Sequence, residues 1–283
     1  MKQTIKRIAA VARMTMSDII RQKSFIVLFI IAVLFLLLVR GCWGMKMNVN
    51  GQVMSGGKFA LQILQTVFFV ISSMVMFIAG LLAMRLFRRD RDEGMQAFVL
   101  SKPVTRLSYI TCKVGGLVLI MTAFMFLLHG AILIIHFLHA GEVTAGYLAA
   151  SSMSVLNVLF AVLAVSLLSL LIPEIFAFLA AFGVTALAFI FDGIAAATRS
   201  SAVQSILSQS GAQAAGLDSL TWWKVVYWIW PKAGTLGANA ASLIDPTAVI
   251  AVNDMLIPLV SMAVYCIALA VLVVIKFDRE EIV

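Results

Sequence analysis

The chain has 283 residues, 63% of them hydrophobic and 12% charged; soluble domains run at roughly 45–50% apolar and about 25% charged, so a soluble fold is excluded and lipid must solvate most of the chain. Its formal net charge of +8 does not point to nucleic acid, because the basic residues gather beside apolar runs. Cys42, Cys112 and Cys266 show neither CxxC nor Cys/His spacing, so neither a disulfide framework nor a zinc site is indicated.

Residues 1–24 carry Ile5, Ile8, Ala9, Ala12, Met16, Ile19 and Ile20 at three- and four-residue spacing, with Lys2, Lys6, Arg13 and Lys23 largely off that stripe. This predicts an amphipathic helix along the headgroups, or one packed on a partner. No small-residue cleavage pattern follows the first apolar run, so a cleavable signal peptide is not expected. Residues 25–283 are expected to form one transmembrane domain. Its six spans fall at about 25–45, 63–86, 114–138, 147–172, 175–191 and 255–276. A helix of roughly 20 apolar residues crosses a bilayer core, and only a helix satisfies its own backbone there. The expected fold class is an all-α integral membrane protein.

The loop 87–113 is rich in arginine. With six spans, every lysine and arginine except Arg40, Lys46, Lys58, Arg199, Lys224 and Lys232 falls on the side of that loop and both termini. The positive-inside rule then makes that side cytoplasmic and the membrane the cytoplasmic (inner) one. Trp43, Trp222, Trp223, Trp228 and Trp230 fall on the other side, as an outer aromatic belt would. The outer segment 192–254 begins polar and becomes apolar in "LTWWKVVYWIWPKAG", broken by Lys224, Pro231 and Lys232. Re-entrant or interfacial helices are expected there, with a seventh span as the alternative.

No catalytic constellation is apparent, so an enzyme is not expected. "GQVMSGGKF" lacks both the first glycine and the hydroxyl residue of a phosphate loop. His129 and His136 lie two turns apart on one face, with His139 nearby. They are candidates for protons or a soft metal, or are packing histidines. Met45 and Met47 could offer thioethers to Cu(I). Glu174 follows Pro173 in a tight turn, while Asp192 and Asp254 mark outer ends. None of these acids reads as mid-bilayer, which argues against an ion-coupled carrier and places the energy source outside the chain.

In "RRDRDEGMQAFVLSKP", Met95, Phe98 and Val99 form one apolar face, with Arg88, Arg91 and Asp92 away from it. Pro103 then disfavours helix at Lys102. This reads as a short stiff helix offered to a partner; plain topogenic charge is the alternative. The stretch "RDEGMQAFVLSKPVTRLSYITCKVGG" resembles the first cytoplasmic loop of ABC-2 type transporter permeases. Glu93, Gly94, Leu100, Ser101, Pro103, Val104, Thr105, Arg106 and Lys113 carry the match. "VVYWIWPKAGTL" and the closing "KFDREEI" are similar to further elements of those permeases. Lys102 and the run Arg88-Arg89-Asp90-Arg91-Asp92 depart from the pattern.

The resemblance implies a permease subunit of an ATP-driven exporter. Two permease chains, identical or different, would pair in the lipid bilayer. Separate ATP-binding cassette subunits would hold ATP and Mg, with no cofactor in this chain. Coupling to them would run through Arg88, Arg89, Arg91, Asp92, Glu93, Gly94, Phe98, Ser101, Pro103 and Arg106, with a smaller contact at Glu174. Two other classes stay open: an ion-coupled secondary transporter using the histidines, and a non-transporting membrane anchor or assembly factor using the Trp-rich segment.

Overall fold

The structure, a computed structural model, describes residues 13, 15–42, 48–49, 52–53, 56–89, 94, 105–141, 144, 146–199, 228–247 and 251–279. The helices are α1 (Lys23–Cys42), α2 (Gly56–Ala83), α3 (Arg106–Ala140), α4 (Tyr147–Ser169), α5 (Glu174–Arg199), α6 (Ala233–Ser242) and α7 (Val252–Asp278). Between α1 and α2, β1 (Asn48–Val49) and β2 (Gln52–Val53) pair antiparallel, Asn48 opposite Val53. The described residues are otherwise helical or in short turns.

Five helices, α2, α3, α4, α5 and α7, are each long and apolar enough to cross a membrane, which marks the chain as a helical membrane protein. The remaining expected span, α1, joins the helical stretch Thr15–Arg21 at a 63° bend and counts as a span only as part of that pair. Of the expected amphipathic helix, Thr15–Arg21 and Arg13 are described; Ile19 is buried and Ile20 exposed there. Residues 1–12 and 14 lie outside the described residues.

Several helices outrun their apolar stretches, because caps rather than hydropathy set their ends. α3 starts at Arg106, not near 114. Thr105 is extended, at φ −71° and ψ 146°, and its hydroxyl accepts the Ser108 N–H at 3.2 Å, satisfying one of the first-turn donors. At the far end Gly141 takes φ 73°, and its N–H bonds the Phe137 carbonyl at 2.8 Å, a left-handed glycine stop. α5 runs on to Arg199, past the expected end near 191.

α4 lies at the centre, packed against α2, α3, α5, α6 and α7. Its buried Ala150, Ser151, Ser154 and Ala161 let neighbouring backbones approach. In lipid that close packing replaces the hydrophobic drive as the source of association. Phe68, Ile71, Leu117, Met121, Met125, Leu128, Val158 and Val162 fill the interior. α1, α5 and α7 form the rim, with outward apolar faces such as Leu38, Ile175 and Ile267.

The short helix α6 is seated inside the bundle. At its start the Asn157 amide donates to the Ala233 carbonyl at 3.1 Å. At its end a Cβ on Gly146 would collide with the Leu243 carbonyl. Gly146 and Asn157 are about 16 Å apart along α4 and α6 is about 15 Å long, at 1.5 Å per residue. α6 therefore runs antiparallel to the first half of α4, its N-terminus at mid-bundle depth. The Trp230 indole donates to the Val184 carbonyl at 3.3 Å, near the middle of α5. So residues 228–247 lie against the bundle helices, along α4 and α5. Trp230 lies against α5, its N–H on the Val184 carbonyl and its ring 5.4 Å from that of Phe191. Trp43, Trp222 and Trp223 lie outside the described residues.

Candidate functional site

The charged loop springs from the end of the bundle where α2 stops, α3 and α5 start and α7 stops. After α2 the chain turns through Met84–Phe87, with Arg88 and Arg89 helical. The Phe87 side chain is buried with its ring 5.5 Å from Phe277, and Tyr109 lies 5.8 Å from the same ring. One residue before the loop, one after it and one from the last turn of α7 thus share an aromatic cluster. Such pairs add about 0.5–1.5 kcal/mol beyond area burial.

Polar ties brace the cluster from two sides. Arg85 Nε lies 3.2 Å from Glu174 Oε2 and Arg88 Nε 3.8 Å from Glu174 Oε1. Glu174 is in the first turn of α5, where a carboxylate also meets the positive end of the helix dipole. On the other side Arg106 Nη1 donates to the Asp278 carbonyl at 2.7 Å. That carbonyl belongs to the last turn of α7, which has no intrahelical partner to offer. The Arg85–Glu174 pair is partly exposed, with side chains 62% and 20% accessible, so it contributes about 0–1 kcal/mol. It positions more than it stabilises.

Of the residues expected to couple to a partner, the structure brings Arg88 and Glu174 into contact and sets Arg106 on the far side of the same base. Arg89 follows Arg88 in the same exposed turn. Gly94 is exposed and takes φ +67°, with nothing within 4 Å of where a Cβ would stand. Arg91, Asp92, Glu93, Phe98, Ser101 and Pro103 lie outside the described residues. Glu174, expected to make a smaller contact with a partner, is also held by two arginines of its own chain. Arg85, Phe87, Tyr109 and Phe277 complete this base and were not among the expected contact residues. The available signal was an aromatic residue at or within three positions of a charge at each of three junctions, Phe87 beside Arg88, Tyr109 one turn after Arg106 and Phe277 between Lys276 and Asp278.

A second polar cluster lies deep between α2, α3 and α4. His129 is 1% exposed, with its ring stacked on Phe68 at 4.2 Å. Its Nδ1 meets Ser151 Oγ at 3.0 Å and its Nε2 meets Ser72 Oγ at 3.2 Å. Ser151 donates its proton to the Tyr147 carbonyl, so Nδ1–H donates to Ser151. The Tyr147 hydroxyl donates to the His129 carbonyl at 2.9 Å. Both ring nitrogens of His129 thus have hydrogen-bond partners within the bundle. His136 is buried two turns on, whereas Met45 and Met47 lie outside the described residues. Among the described residues no group of three or more His, Cys, Asp or Glu could hold a metal ion.

A search of protein-family models finds no match to the chain, and a search of curated proteins finds no significant relative.

Proposed function

We propose that the chain is the membrane-spanning permease subunit of an ATP-driven ABC-2 type exporter, working with separate ATP-binding cassette subunits and a second permease chain. The observation that carries this reading is the braced loop. A loop that only marked topology would need charge but no seat. This one has both stems fixed by Phe87, Tyr109 and Phe277, and by the Glu174 and Arg106 ties. A force applied to it enters α2, α3, α5 and α7 together. In this reading the loop and both termini are cytoplasmic, the bent pair Thr15–Arg21 with α1 supplies the sixth span, and α6 lies toward the outer face. Arg106, Thr105 and the left-handed Gly94 take their places in the loop element that resembles the permease family.

The test is purification of the tagged chain in mild detergent from its native membrane. An ATP-hydrolysing subunit should accompany it in fixed ratio. Reversing charge with Arg89→Glu and Arg91→Glu should lower ATP-driven transport at least about tenfold, the loss expected from roughly 1.4 kcal/mol of coupling energy. Full transport by the isolated chain would overturn the proposal.

A further inference from the structure

α5 carries an acidic residue near each end of its membrane-crossing length, and each is engaged by a different part of the molecule. At the loop end Glu174 holds Arg85 and Arg88. Eighteen residues later, about 27 Å along the axis at 1.5 Å per residue, Asp192 is 8% exposed. Its Oδ2 accepts the Thr235 N–H at 2.7 Å, and the Gly234 N–H and Thr235 hydroxyl also reach the carboxylate.

Thr235 is the third residue of α6, whose own N-cap position is Lys232, with no capping side chain. A helix start needs an oxygen acceptor at its second or third N–H. Here another helix supplies it. Lys232 is itself buried, and its charge acts on the same carboxylate. Gly234 permits the approach: a Cβ there would stand 3.0 Å from Asp192 Oδ2 and 3.1 Å from Phe189 Cα.

Between these two ends one side of α5 is packed, burying Ala177, Ala181, Thr185 and Ala188, and the other side is open. Ile175, Phe176, Leu179, Leu187 and Ile190 face outward. Phe77 of α2 stands edge-on to Phe178 and Phe182, each at 5.1 Å, a contact that lets a helix rock. A continuous helix with one open side and a polar tie at each end can move as one piece.

We propose that α5 is a relay rod, with Glu174 and Asp192 as its positioning residues, so that displacement of the loop base shifts the short helix α6. The link rests on these contacts alone. Its use in transport rests on the ATP-driven reading above.

The test is amide hydrogen exchange on the full chain in lipid nanodiscs, without any ATPase. Asp192→Asn should speed exchange over residues 233–242 about tenfold, as when a local opening loses roughly 1.4 kcal/mol of protection. Glu174→Gln, and separately Arg85→Gln with Arg88→Gln, should speed exchange over the same residues severalfold, although they lie near the opposite end of the rod. Thermal stability and α4 exchange should stay at wild-type values, and Glu174→Asp should restore the wild-type rate at α6. If Glu174→Gln and the arginine pair leave α6 exchange unchanged, the relay is refuted, whatever Asp192→Asn does and whether or not that variant folds. Loss of ATP-driven transport in a chain whose relay responds as expected would count against the functional reading alone.

Discussion

At the scale of single residues, Gly94 and His129 make the sharpest predictions. Gly94 has a positive φ and open space around it, so its constraint is conformational rather than steric. Gly94→Val should cost about 1–2 kcal/mol locally and lower coupling. Gly94→Asn, which visits the left-handed region readily, should retain it. Equal loss for both in a transport assay would mean that bulk matters. For His129, the partner hydroxyls already have other acceptors: Ser151 donates to the Tyr147 carbonyl and Ser72 to Ser154 Oγ. His129→Leu should therefore cost only about 1 kcal/mol, the usual size of a side-chain hydrogen bond inside a membrane bundle. His129→Ala opens a cavity against Phe68 and should cost about 3 kcal/mol. Melting in detergent would rank them. Transport that survives His129→Leu would weigh against a proton-carrying role. The histidine itself was legible in the sequence as a candidate. Its hydrogen-bond partners were not, because they come from positions 57 residues before and 22 residues after it. Asp192 was read as an end marker for the same reason: what it caps lies 43 residues away.

At the scale of elements, five of the six expected apolar spans were legible and their ends only partly so. Hydropathy marks where lipid begins, whereas a cap marks where the helix begins. Thr105 and Gly141 show the second kind of signal, visible in "VTRLS" and "HAGEV" once sought. A short helix such as α6 in place of a further span could be anticipated from Pro231 and Lys232 interrupting an apolar run. Its seat could not, because it depends on glycines that meet distant backbone. Gly146→Ala places a methyl on the Leu243 carbonyl. Backbone cannot yield as a side chain does, so the C-terminal turn of α6 must shift, at about 3 kcal/mol or more, above the usual 1–3 kcal/mol of overpacking. Gly237→Ala meets side chains alone, the edge of the Phe69 ring at 3.1 Å and the Asn157 amide at 3.7 Å, and should cost less than half as much. Comparing the melting temperatures of the two variants checks this order.

At the scale of the whole molecule, the loop base gathers four helices around three aromatic rings. Phe277→Ala removes the ring common to both contacts. It should destabilise the protein by about 3 kcal/mol and loosen both stems of the loop. Thermal melting would show the first effect, and faster amide exchange at Phe87 and Tyr109 the second. α3, at 35 residues, is about 52 Å long, and at a common tilt of about 20° it stands roughly 49 Å tall. A hydrocarbon slab of ~30 Å covers little more than half of that height. Its apolar middle from Val114 to Leu138 claims the slab, which leaves Arg106–Lys113 as a footing some 10 Å tall among the phosphates. Whatever meets the arginines does so from a pedestal already clear of the oil, with lipid headgroups crowding its sides, so swapping those lipids for a bulkier or more anionic species should be felt there before it is felt anywhere in the bundle.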